Sequence, residues 1–169
     1  MKMPASVSRW LLFNLHTLRG NSASPDFFPG GVNDAAYPAR TPSEQQLAVD
    51  MIYRCLKCGL IDIDPEGWRQ AYGVDDIEGF AERLAQVDQF GGRRLDEAAH
   101  NKRMDDMMIW LGPELYCTEA GEALVSRYFP RALDLEDERN VAGFNEEICE
   151  LFEANGVPWT NEALIPLRF

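Results

Sequence analysis

The residues of this 169-residue chain best suited to chemistry are four cysteines, two histidines and a surplus of carboxylates. Cys55 and Cys58 form a C-x2-C pair. Structural zinc needs four ligands, usually from two such pairs. Cys117, Cys149, His16 and His100 supply no second pair. A redox pair wants its first thiol at a helix N-terminus, where the dipole favours the thiolate. This pair falls at the end of a helical pattern, so it reads as two small buried hydrophobes. Asp62, Asp64 and Glu66, followed by Gly67, imitate the start of a calcium loop. The loop's last ligand position, however, is occupied by Gly73, where a bidentate carboxylate is required. The histidines fit no triad, and the sequence contains no nucleophile elbow, phosphate loop or dinucleotide fingerprint. The expectation is no enzyme, no cofactor, no metal and no catalytic residue. The enzyme alternative would place Asp105, Asp106 and Glu114 in a cleft.

Charge is the stronger signal. The formal net charge is −12 and the isoelectric point about 4.5. This argues against direct nucleic-acid binding and against an anionic membrane surface, since both require clustered Lys and Arg. The charge is uneven. Residues 1–60 carry six basic and four acidic side chains, and residues 61–169 carry ten and 24. The densest stretch holds Asp134, Glu136, Asp137, Glu138, Glu146, Glu147, Glu150 and Glu153 against Arg139 alone. A solvated, solubilising face explains such a run, and so does a surface for a basic protein partner. Those eight acids are the candidate partner-binding residues.

Several elements must position these groups. Helical spacing of Val7, Trp10, Leu11, Leu15 and Leu18 predicts a first helix over 5–19, stopped at Gly20. Asn14, His16 and Thr17 interrupt its apolar run too early for a secretion signal, which places the chain in a cytoplasm with reduced thiols. Pro25, Pro29, Gly30, Gly31, Pro38 and Pro42 predict a long irregular loop over 20–42, in which Phe27, Phe28 and Tyr37 either pin it to the core, the favoured reading, or bind a partner. Ser43 is the expected cap of a helix over 44–58. A short strand follows at 60–63, and Asp64, Pro65 and Glu66 read as the start of another helix. Further helices are expected from Asp75 through Val87, over 95–111, from Thr118 through Tyr128 and over 141–155, with a strand at 115–117. Met104, Met107 and Met108 read as core. In the last helix Val141, Phe144, Ile148, Leu151 and Phe152 share one face and the glutamates lie mostly opposite. Residues 157–169 are apolar enough to dock.

Residues 56–61 (LKCGLI) resemble the end of a helix leading into a strand in winged-helix proteins. Residues 116–124 (YCTEAGEAL) are similar to the segment after the wing of that family. The resemblance implies a helical domain with a small sheet. Nucleic-acid binding would further need a basic patch, from Arg93, Arg94, Lys102 and Arg103, and Asp62 and Asp64 stand where the family is basic.

The fold expected is therefore mainly α, a single domain of six or seven helices with a possible two- or three-stranded sheet. The function expected is that of an acidic bacterial binding protein. Its most specific form is an immunity or antitoxin-type inhibitor that blocks a cognate toxin electrostatically and sterically. A secretion chaperone or adaptor and a winged-helix-like regulatory module are the alternatives.

Overall fold

The computed structural model describes residues 2–28, 41–89, 97–129 and 138–169. Among them are seven α-helices and one three-stranded antiparallel sheet. The helices are α1 (Ala5–Leu18), α2 (Pro42–Lys57), α3 (Trp68–Tyr72), α4 (Ile77–Ala85), α5 (Glu97–Leu111), α6 (Glu119–Tyr128) and α7 (Glu138–Ala154). The strands are β1 (Ser22–Ala23), β2 (Ile61–Asp64) and β3 (Glu114–Cys117), in the order β1-β3-β2. The mainly α architecture with a small sheet is the one its periodicities predict. No described helix is long and apolar enough to cross a membrane.

The core forms where α1 and α2 bury their apolar residues against α4, α6, α7 and the inner face of the sheet. Leu11, Leu12 and Leu15 of α1 and Met51, Ile52 and Cys55 of α2 are fully buried. Burying a side chain of that size is worth roughly 1.5–3 kcal/mol. Thr41, not Ser43, caps α2: its hydroxyl accepts from the Glu44 amide, and the Glu44 carboxylate accepts from the Thr41 amide at 2.8 Å. This capping box, with Pro42 in the first turn, outcompetes a serine cap that would leave the box incomplete.

Three further expectations need correction. The segment 20–42 is not wholly irregular, since Ser22 and Ala23 pair with β3 and Pro25–Phe27 form a 3-10 turn. Phe28 is fully buried edge-on to Trp10, whereas Phe27 stays partly exposed. Tyr37 lies outside the described residues. Asp64, Pro65 and Glu66 do not open a helix. Asp64 ends β2 opposite Glu114, the Asp64–Pro65 peptide is cis, and α3 starts only at Trp68. Cross-strand pairing here overrides a good local helix signal. The methionines of α5 are also not all core: Met107 packs against it, but Met104 and Met108 are 46% and 48% exposed. The helix turns Ile109 and Trp110 inward instead, and Trp110 donates its indole N–H to the Leu84 carbonyl at 3.1 Å.

The C-terminal tail docks, as its composition suggests, and α2 provides the means. Gln46, Asp50 and Arg54 recur every four residues along one side of that helix. Gln46 donates to the Ile165 carbonyl and accepts from the Leu167 amide, both at 2.9 Å. Asp50 accepts from the Ile165 amide at 3.1 Å. Arg54, fully buried, donates to the Val157 and Pro158 carbonyls at 3.2 and 3.0 Å.

Candidate functional site

The outer face of the sheet gathers acid. Alternation sends Ile61, Ile63, Leu115 and Cys117 into the core and leaves Asp62, Asp64, Glu114 and Tyr116 in solvent. The register sets Asp62 opposite Tyr116 and Asp64 opposite Glu114, with Ser22 on the other side of Tyr116. Two like charges facing each other across an antiparallel pair oppose sheet formation. Ser22 donates its hydroxyl to Glu114, and Tyr116 donates to Asp62 at 3.5 Å. The negative charge of Asp62 pushes the Tyr116 phenol above its ordinary pKa.

Asp64, Glu114 and Tyr116 continue into a cleft of about 570 Å³ that also takes in Asn21 and Glu122. Arg19, just before the cleft's Gly20, donates instead to the Ser126 hydroxyl at 3.1 Å. The arrangement offers three strand carboxylates and a 37% exposed phenol ring to a cation. Asp105 and Asp106 do not join Glu114 in this cleft: Asp105 is exposed on α5, and Asp106 pairs with Arg83 at 3.4 Å.

The acidic stripe of α7 is less available than its composition suggests. Glu146 accepts from the Lys2 ammonium at 2.7 Å, and this hydrogen bond holds its carboxyl below the usual range. Glu147 accepts from Tyr128 at 2.5 Å and also pairs with Arg127. Hydrogen bonding by Tyr128, then by Arg127, outweighs partial burial and lowers its pKa. Glu150 and Glu153 are exposed, with no ion-pair partner among the described residues. Asp134, Glu136, Asp137 and the Glu138 side chain lie outside the described residues.

The other residues with chemical potential have structural surroundings. Burial pushes the Cys58 and Cys117 thiols up to about 11, and the Cys55 thiol well above its ordinary value. High thiol pKa values suppress the nucleophilic thiolate. His16 meets Phe129 edge-on at 3.9 Å between ring centres. Burial, then the charge of Arg19, lowers its pKa. Arg103 donates to the Gln89 carbonyl at 3.4 Å and Lys102 is exposed, while Arg93 and Arg94 lie outside the described residues.

The two segments that resemble winged-helix proteins meet in space. Thr118 donates its amide to the Leu60 carbonyl at 3.1 Å and its hydroxyl to the Gly59 carbonyl at 2.6 Å. The chain between β2 and β3 contains α3, α4 and α5, so the likeness is confined to this junction.

The sheet face was missed as a site in the sequence, although its signal is there. The period-two patterns IDID and ELYC each place polar residues on one side of a strand. What the chain alone does not give is their pairing, with Asp62 and Tyr116 54 positions apart. No protein-family model matches the chain, and no curated protein or solved structure matches it.

Proposed function

We propose that this chain is an acidic inhibitor of the immunity or antitoxin type, one that covers a basic site on a cognate bacterial toxin. The observation that carries the reading is the outer sheet face, where Asp64 stands opposite Glu114 and Asp62 beside the exposed Tyr116. A like-charge pair across a sheet costs stability in the free protein. A lysine or arginine inserted between the two carboxylates turns that repulsion into attraction. Tyr116 adds a ring for stacking and cation–π contact, the usual character of an interface anchor. On α7, Glu150 and Glu153 extend the negative field that steers a basic partner, while Glu146 and Glu147 are already paired with the chain's own cations.

The test is co-expression with the product of the neighbouring reading frame, followed by measurement of Kd against salt. Charge reversal on the sheet (Asp62→Lys, Asp64→Lys and Glu114→Lys together) should weaken binding by about 100-fold or more and flatten its salt dependence. Reversal on α7 (Glu150→Lys with Glu153→Lys) should mainly slow association, by roughly tenfold or less. Unchanged Kd and salt slope in both variants would overturn the proposal. Circular dichroism confirms folding, since all five positions are exposed.

A further inference from the structure

A second site of opposite character lies between the start of α1 and the first turns of α7, and it does not depend on the sheet face. A groove of about 370 Å³ opens there. Its apolar part is Met3 and Val141, each 3% exposed, together with Ala142. Its polar lining is Lys2, Arg9 and Asn145. Asn145 is committed to the fold: its amide donates to the Met3 carbonyl at 2.6 Å and to the Ser8 hydroxyl at 2.7 Å. The groups left to meet a ligand are therefore two cations. Arg9 is exposed and has no ion-pair partner among the described residues. Lys2 already holds a carboxylate, that of Glu146, in an exposed pair that is weak and readily exchanged. On a protein of net charge −12, this is a local positive rim over an apolar floor.

We infer that this groove binds a small aliphatic carboxylate, its head on Arg9 and Lys2 and its chain over Met3, Val141 and Ala142. A groove of about 370 Å³ has room for a ten-heavy-atom acid such as octanoate. Charge and floor are both required. A guanidinium gives the head charge-assisted, two-pronged hydrogen bonds, and burying the chain supplies the hydrophobic part of the affinity. Glu146 competes with the ligand for Lys2, so the groove carries its own internal antagonist.

The probe is octanoate, titrated into the full chain and followed by amide chemical shifts. The shifts should saturate and should centre on Met3, Val141 and Ala142. Octanol, with the same chain and no charge, and inorganic phosphate, with charge and no chain, should each bind at least about tenfold more weakly. Arg9→Ala should weaken octanoate binding about tenfold or more, as expected for loss of a charge-assisted contact. Glu146→Gln should tighten it by about threefold, while Glu150→Gln, the same charge change one helical turn further along α7, should leave it nearly unchanged. Octanol binding as well as octanoate would reduce the groove to an apolar hole and overturn the inference. Phosphate binding equally well, an unaltered Kd in Arg9→Ala, or an equal gain from both glutamine variants would overturn it too. None of these outcomes bears on the sheet face, whose test uses a protein partner and other residues.

Discussion

Arg54 shows how one side chain can tie a sequence to its fold. It is fully buried, 3.8 Å from Asp50, between the rings of Phe152 and Trp159, and bonded to two tail carbonyls. Burial lowers its pKa and raises that of Asp50, so desolvation outweighs the pairing at both ends. Removing one member of such a pair leaves the other charged, buried and uncompensated. Arg54→Met should therefore cost about 3–5 kcal/mol in urea unfolding. The pH dependence follows from the direction at Asp50. Its folded pKa lies above the unfolded value, so its contribution is fully present below the unfolded pKa of about 3.9 and declines as pH rises through the folded pKa. Asp50→Asn abolishes that titration. The stability of wild type minus that of Asp50→Asn should fall as pH climbs from about 4 and then level off. A difference that rises over that window would contradict the assignment.

At the scale of elements, the chain packs closely where β2, β3 and α6 meet. Gly121, in the first turn of α6, lies against the Leu60 backbone, and a Cβ there would collide with the Leu60 carbonyl oxygen and press on Cys117 Sγ at 2.9 Å. Backbone cannot rotate away as a flexible side chain can. Gly121→Ala should thus destabilise by about 1–3 kcal/mol, despite alanine's higher helix propensity, with the loss read from thermal or urea unfolding. Helices such as α1, α6 and α7 are legible in the sequence because their apolar faces repeat at helical spacing and Thr118 and Gly156 mark an end of each of the last two. The helix signal at Asp64, Pro65 and Glu66 is local, whereas the strand partner that overrides it, Glu114, lies 50 positions away in the chain. The candidate site shares that obscurity: each half is a four-residue strand, and only the pairing makes Asp64 and Glu114 neighbours. Docking of the tail was visible in its composition, but its attachment to Gln46 was not. Gln46→Leu should speed hydrogen exchange at the Leu167 amide, which it alone accepts, and affect less the Ile165 amide, which Asp50 holds. Equal acceleration at both would mean that the tail opens as one unit.

Across the whole molecule, the excess of carboxylates makes the folded state electrostatically costly. Twelve net negative charges on 19.1 kDa repel one another more when compact than when the chain is spread out. Of the ion pairs that oppose this, Lys2 with Glu146 is largely exposed and contributes little, and Arg127 with Glu147 is only partly buried. Screening should therefore relieve more repulsion than it removes attraction. Raising NaCl from about 20 mM to about 500 mM shortens the Debye length from roughly 20 Å to about 4 Å, less than the spacing of most surface charges. The Tm should rise by several degrees over that range and rise less in the sheet variant Asp62→Lys, Asp64→Lys, Glu114→Lys. In that variant the net charge falls by six units, and the facing pair at Asp64 and Glu114 becomes two lysines, so much of the global repulsion is removed while the local repulsion survives with reversed sign. Replacing only Glu114 with Lys pairs opposite charges across the strands and should raise the Tm at low salt. A protein that keeps Asp64 opposite Glu114 forgoes that gain, which is expected if the face is held for a basic partner.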